Sequence, residues 1–410
     1  MERIIFLIDM QSFYASVEKL YYSHLQHKPT AVAGDPSIRS GVILAACPVA
    51  KREGVKTAET LSQAQQKCPA LVVIPPRMEL YLKISVQIAA ALEAYTDKIE
   101  PYSVDELFAD MTHTYRHTAS TPEQAALFIN RHLLRAFGVY PRIGIGPTKV
   151  LAKMACDHFA KKSEEGIFTL SQDQLASTLW PLPVNHLFGV GRRMEKHLRQ
   201  MGIRKAGHLA AYPVEELRHR FGLNGELLWQ TAHGIDPSPV SPGTHTHRKA
   251  VGHHMTLPRD YSSWDDIRVV LRELSEEVGR RARVEGFSGW TVTVGAEGRD
   301  NERPFHFHRQ AAQAAPINDG KALYKAAASL FLKHWNFYPV RGLSLSLQQL
   351  ESDQSVQLDL FSEKEYREDL NRTIDTLKER YGPAAVLQAS SLLPGGQALT
   401  RAEKIGGHYK

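Results

Sequence analysis

Ile4-Ile5-Phe6-Leu7-Ile8-Asp9-Met10-Gln11-Ser12-Phe13-Tyr14-Ala15-Ser16-Val17-Glu18 decides how this chain reads. The apolar run Ile4 to Ile8 predicts a fully buried strand that ends on Asp9. From Phe13 to Leu20 the pattern turns helical. A carboxylate at the mouth of a buried strand is costly unless something pairs with it.

A second acidic feature lies far along the chain. Asp105-Glu106 stands between Tyr102-Ser103-Val104 and Leu107-Phe108-Ala109, in a stretch (98–111) that reads as two strands around a tight connection. Adjacent carboxylates repel, and hard divalent cations relieve that repulsion by taking carboxylate and phosphate oxygens. A pair of such ions would activate an attacking hydroxyl and stabilise a leaving pyrophosphate. Taken alone, an Asp-Glu pair is most often a solvated turn. Phe13 and Tyr14 are neighbours on a helix and point in different directions. One ring can enter the core while the other faces the site, where it would collide with a sugar 2′-hydroxyl; two core aromatics is the other reading. Lys51-Arg52 and Lys161-Lys162 supply charges of the kind a triphosphate needs, or simply form a solvated face.

Further out, residues 38–47 and Ala70–Ile74 read as strands, with helices at 78–96, Pro122–Phe137 and 147–162 and a strand at 141–145. Strands and helices thus alternate through residue 165, as in an α/β or α+β domain. Residues 169–234 read as short helices with two Gly-rich turns, Phe188-Gly189-Val190-Gly191 and Phe221-Gly222-Leu223-Asn224-Gly225. Such turns expose backbone N–H groups that hold phosphates without reading bases, and they also serve as plain helix connections. Asp236 to His247 carries three prolines and reads as an extended linker without a core. From Ala250 the order βαββαβ predicts one four-stranded sheet with two helices on one face. His306 and His308 alternate with Phe305 and Phe307, so they share a solvent- or phosphate-facing strand face. Beyond Glu351 the chain is polar with one helix, yet it contains Gln357-Leu358-Asp359-Leu360-Phe361, whose apolar residues call for a pocket on another molecule.

The chain has 410 residues, enough for two to four domains, and a net charge of +6 that permits an acidic partner. Its three cysteines form no C-x-x-C pair, which excludes a zinc knuckle or a disulfide framework and fits a reducing cytoplasm. The short apolar N-terminus is neither a signal-peptide core nor a membrane span, so a soluble, cytoplasmic protein is expected. No Ser/His/Asp or Cys/His arrangement offers a side-chain nucleophile.

Together these features resemble the Y-family DNA polymerases over about residues 1–350. The runs that carry the resemblance are Ile8–Glu18, Tyr102–Glu106, Gly144–Lys153, Gly189-Val190-Gly191 and Gly252–Pro258. The lesion-repair branch typified by UmuC, in its Gram-positive UV-damage forms, looks similar. The resemblance implies an α+β multidomain right hand: a palm (1–18 and 77–168), small fingers (19–76), a helix-hairpin-helix thumb (169–234), a linker (235–247) and a βαββαβ little finger (248–350), then a tail (351–410). It implies template-directed DNA synthesis from dNTP on primer-template DNA, of the low-fidelity translesion kind used in SOS-type damage tolerance. Two Mg²⁺ would be held by Asp9, Asp105, Glu106 and the Met10 carbonyl. Phe13, Tyr14, Lys51 and Lys161 would meet the nucleotide, with Tyr14 as the sugar gate. Gly189, Gly191, His306 and His308 would meet DNA. Gln357, Leu358, Leu360 and Phe361 would bind a bacterial sliding clamp, and accessory repair subunits are further expected partners. Relatives often carry acid at Gln11, and Tyr and Arg where this chain has Pro48 and Lys51. An extra residue near His158 leaves Lys161 or Lys162 as the triphosphate contact. Two other readings stand beside this one: a non-catalytic, clamp-recruited DNA-binding factor with a decayed site, and a palm-type nucleotidyl cyclase.

Overall fold

The computed structural model describes residues 2–35, 41–243, 248–300, 303–353 and 364–409. Met1–Ala33 with Val42–His245 form one compact unit, and Gly34–Gly41 with Thr246–Lys410 form the other. The expected clamp peptide Gln357–Phe361 lies outside the described residues. Among the described residues no helix is long and apolar enough to cross a membrane.

In the first unit, β1 (Ile5–Met10) and α1 (Phe13–Tyr21) form where the apolar run and the helical pattern predict them. A small three-stranded sheet follows, from β2 (Thr30–Ala33), β3 (Ile43–Ala46) and β4 (Val72–Ile74), in the order β3-β2-β4. Two short helices, α2 (Pro48–Arg52) and α3 (Leu61–Lys67), complete it, with Pro48 opening α2 where no backbone donor is needed. Next come α4 (Met78–Leu92), β5 (Ile99–Pro101), β6 (Glu106–Asp110), α5 (Tyr115–Thr118), α6 (Pro122–Phe137), β7 (Pro141–Gly146), α7 (Lys149–His158) and β8 (Ile167–Thr169).

The main sheet runs β5-β6-β1-β7-β8, which places β1 at its centre and buries all six of its residues. A central strand is apolar on both faces, and its alternation sorts the helices. Phe6, Ile8 and Met10 share a core with Tyr81, Ile88, Ile129 and Leu133 of α4 and α6. Ile5 and Leu7 point the other way, with Phe108, Ala152 and Cys156, onto α7. Asp9 has the parity of Ile5 and Leu7, and Glu106 that of Phe108. Both carboxylates are therefore delivered to the α7 face.

Four helices, α8 (Arg192–Gln200), α9 (Ala206–Ala210), α10 (Val214–Phe221) and α11 (Leu223–Ala232), build a helical core that also takes Leu151, Met154 and Ala155 of α7. The linker departs from expectation. Val240 is buried with Ile5, Leu7 and Phe108, Ser241 N–H donates to Glu100 Oε2 (3.1 Å), and Arg3 donates to the Ser238 carbonyl (3.1 Å). One valine among prolines suffices to dock a segment whose composition reads as free chain.

In the second unit, β9 (Ala250–Tyr261), α12 (Trp264–Val284), β10 (Phe287–Asp300), β11 (Arg303–Ile317), α13 (Gly320–His334) and β12 (Val340–Ser352) give an antiparallel sheet of order β11-β10-β12-β9. Both helices share one core with one face of it. After α14 (Lys364–Tyr381) and into α15 (Ala398–Ala402), the polar tail turns back onto α12. Gln397 N–H donates to both Glu273 oxygens (3.1 and 3.0 Å), Arg401 stands 3.6 Å from the same carboxylate, and the Tyr261 hydroxyl donates to the Gly395 carbonyl (3.0 Å). The end of the chain is thus part of this unit's packing, an arrangement its composition does not announce.

Candidate active site

The site forms where β1, β6 and α7 meet. Asp9 pairs with Glu106 across the sheet, and the Met10 N–H donates to the Asp105 carbonyl (2.9 Å). One oxygen from each of Asp9, Glu106 and Asp157 lies within 4.8 Å of the other two. It is the only such group among the described residues, so His306 and His308, which face outward on β11, join no metal cluster there. Asp105 does not belong to this close set. It precedes β6 and follows the opposite parity to Glu106, and its carboxylate accepts from the Ser103 hydroxyl (2.8 Å).

Two lysines meet these acids. Lys161 Nζ lies 2.7 Å from Asp9 and 2.7 Å from Asp157. Lys153 Nζ lies 2.8 Å from Glu106 and 3.4 Å from Asp157. The extra residue near His158 is absorbed because α7 stops there and a tight 3₁₀ turn, Ala160–Lys162, swings Lys161 inward. Lys162 is left exposed. Lys153 is also boxed by the Tyr102 and Phe188 rings, 5.2 and 5.7 Å from Nζ.

The helix can come this close because β7 has no side chain beneath it. A Cβ on Gly144 would stand 2.0 Å from the Ala152 carbonyl oxygen and 2.3 Å from the Cys156 nitrogen. Cys156 is fully buried at this seam, its thiol 3.3 Å from the Arg142 carbonyl, and burial pushes that thiol far up.

Burial raises the Asp105 carboxyl, with Glu106 adding to it. Burial also raises Glu106, with Asp9 adding and Lys153 opposing. Around Lys161, burial is outweighed by Asp9 and Asp157, which hold the ammonium well above its ordinary range. Asp157 is likewise held low by Lys161 and Lys153 against its burial. Neighbouring carboxyls raised by burial and by one another are a donor set suited to a hard cation. Asp9, Asp105 and Glu106 could hold it, with the Met10 carbonyl beside them.

Phe13 and Tyr14 differ in burial. Phe13 is buried in the core, so its ring is not presented to a nucleotide and only its backbone remains for one. Tyr14 is half-buried and stacks on Tyr81 (ring centroids 4.4 Å apart, 16° between planes), and Tyr81 donates to the buried Glu18 (2.6 Å). Lys51 Nζ donates to the Ser12 hydroxyl (2.9 Å), and burial, then Lys161, lowers its pKa. Ser12 is held in the left-handed region (φ 52°). Gln11 Oε1 accepts from Arg142 (3.1 and 3.3 Å). Gly189 (φ 89°) turns the chain ahead of α8, and Gly191 caps that helix with open space around it.

Reading the sequence missed Lys153 and Asp157. The available signal was the four-residue spacing of Lys149, Lys153, Asp157 and Lys161, which sets an acid between lysines along one predicted helical face.

Residues 8–157 match the impB/mucB/samB family, 248–360 match that family's C-terminal domain, and 185–236 match the DNA polymerase-iota thumb domain. The chain belongs to this family, the Y-family DNA polymerases. It is 51% identical over 410 residues to DNA polymerase IV 2 of Bacillus subtilis, covering 100% of this chain and 99% of that protein. It is 48% identical to DNA polymerase IV 2 of Halalkalibacterium halodurans, with both chains fully covered. The putative UV-damage repair protein UvrX of Bacillus subtilis is 33% identical, with 98% of this chain and 97% of that one covered. A Y-family polymerase chimera, Dbh-Dpo4(243-245)-Dbh, superposes with a TM-score of 0.70 at 22% identity, over 84% of this chain and 98% of the chimera. The fold is that of a Y-family polymerase.

Proposed function

We propose that this chain is a template-directed DNA polymerase of the translesion type, adding dNTP to a primer 3′-hydroxyl in the cytoplasm. The observation that carries this reading is the delivery of Asp9 and Glu106, from paired strands, to one face beside Lys161, within a Y-family fold. Mg²⁺ held by Asp9, Asp105, Glu106 and the Met10 carbonyl would acidify the primer hydroxyl and neutralise charge on the leaving pyrophosphate.

The chain's own groups do the rest. Lys161 and Lys51 take the triphosphate oxygens and offset charge that builds in the transition state. Tyr14, braced from behind by Tyr81, places its ring under the sugar and excludes a 2′-hydroxyl. Lys51 replaces a planar, bidentate guanidinium with a point charge, so the nucleotide is held by fewer fixed bonds. The Gly189–Gly191 turn holds backbone phosphate, and the outward face of β11, with His306 and His308, meets duplex without reading sequence. Gln357–Phe361 would dock in the apolar pocket of a sliding clamp, which raises the effective concentration of the polymerase at the primer end.

The test is primer extension on undamaged and damaged templates with Mg²⁺ and dNTPs, beside Asp105→Ala. Extension by the wild type that vanishes in the variant supports the reading. Absence of extension by the wild type, with clamp present, overturns it in favour of a DNA-binding repair factor.

A further inference from the structure

Asp157 is an acid of this site that comes from a helix, and it holds two cations at once. Its Oδ1 meets Lys161 at 2.7 Å and its Oδ2 meets Lys153 at 3.4 Å, four residues away on either side. Each lysine reaches onward to a strand carboxylate, Lys161 to Asp9 and Lys153 to Glu106. The five groups form one unbroken ladder, Asp9–Lys161–Asp157–Lys153–Glu106. A cation bound at Asp9 and Glu106 competes with the lysines for those carboxylates. Without Asp157, Lys161 would then lose its second partner beside the incoming nucleotide, and ordering it again would cost side-chain entropy.

Resting on the polymerase reading above, we propose that Asp157 is a positioning residue for nucleotide binding: it keeps Lys161 and Lys153 tethered when Asp9 and Glu106 turn to the cation, so that Lys161 meets the triphosphate already oriented. Asp157 is poorly suited to be a further cation ligand. Asp9 and Glu106 each face one ammonium, whereas Asp157 faces two, one at each oxygen, so of the three it is the least suited to take an ion. The packing supports a rigid tether, because Gly144 seats α7 directly on β7 and the Tyr102 and Phe188 rings confine Lys153. Charge counting agrees. With Asp157 ionised the ladder carries three acids and two bases, net −1; without it the net is 0, and each lysine has only a cation-binding carboxylate left to pair with.

The experiment measures dNTP affinity directly. The full chain is bound to primer-template with a dideoxy-terminated primer in Ca²⁺, and the dNTP Kd is read by fluorescence; single-turnover extension in Mg²⁺ then separates Kd from the maximal rate. Asp157→Asn should weaken dNTP binding about tenfold while lowering the maximal rate less, since the effect acts on orientation of a charge-assisted contact. On top of Lys161→Met the same change should cost less than about twofold, because Asp157 acts through Lys161. Asp157→Glu, which keeps the charge, should restore most of the affinity, and it reads the same contact if Asp157→Asn lowers the melting temperature. An additive loss in the Lys161→Met background overturns the proposal, as does recovery of Asp157→Asn by raised cation, which would make Asp157 a ligand. Unchanged affinity in Asp157→Asn also overturns it. A wild type that neither binds dNTP nor extends a primer removes the polymerase reading itself, an outcome distinct from any pattern among the variants.

Discussion

Gly144→Ala should damage both the stability and the chemistry of this protein, although Gly144 touches no substrate. The added methyl would sit 2.0 Å from the Ala152 carbonyl oxygen and 2.3 Å from the Cys156 nitrogen. Both atoms are helix backbone, so no side chain can rotate out of the way. A contact of about 3.0 Å, the least a packed Cβ accepts, requires α7 to lift by roughly 1 Å. Overpacking of this kind costs about 1–3 kcal/mol. The same lift carries Lys153, Asp157 and Lys161 away from Asp9 and Glu106, and a 1 Å misplacement at a reacting centre costs about 10²-fold in rate. Denaturant unfolding and single-turnover extension should therefore fall together. Gly191→Ala is the control: a Cβ there meets nothing within 4 Å, and its φ of −80° suits any residue, so stability should be unchanged. A Gly144→Ala protein with wild-type stability and rate would refute the claim that close helix packing sets the site.

Other expectations follow from single contacts. Tyr14→Ala should raise the use of rNTP relative to dNTP by at least about tenfold in competition assays, since it removes the ring that excludes the 2′-hydroxyl. Glu18 is fully buried against Tyr81 and pairs with the partly exposed Arg77, so Glu18→Ala, which leaves the buried Tyr81 hydroxyl without its acceptor, should cost about 1–3 kcal/mol by denaturant unfolding and loosen the same sugar discrimination, because Tyr81 braces Tyr14. In the second unit, burial works against ionised Glu277, but Arg280 and Arg281 hold its carboxyl down at about 2. A depressed acid stabilises above its unfolded pKa and loses that contribution as pH falls through the folded one. Acid melts of the wild type should show this loss between about pH 4.5 and 2, and Glu277→Gln should lack it. Arg401→Ala leaves the buried Glu273 without its cation and should lower the melting temperature of this unit, read by calorimetry.

Much of this architecture was legible because local pattern and final burial coincide. β1 is apolar throughout and becomes the central strand, α6 runs from Pro122 to Phe137 as its periodicity predicts, and βαββαβ holds. β11 runs on to Ile317 through Gln310-Ala311-Ala312-Gln313, residues with little strand preference of their own, because pairing with β10 imposes the conformation. Asp9 and Glu106 were readable as acids in apolar strands. Asp157 was not, since its meaning arises only when α7 is laid across β1. Val240 and Gln397 were hidden for the same reason: one apolar residue among prolines and one polar residue in a polar tail gain partners only from distant chain.

The thiol of Cys156 lies in the seam between α7 and β7, with no exposed surface. A protonated, enclosed sulfur does not react with alkylating reagents. Its modification must therefore wait for the helix to part from the strand, and the rate of that reaction is a clock for such openings. Under conditions where closing outpaces alkylation, the rate reports the equilibrium population of the open form. The native chain thus carries its own probe of how often α7 leaves its seat, without an added label.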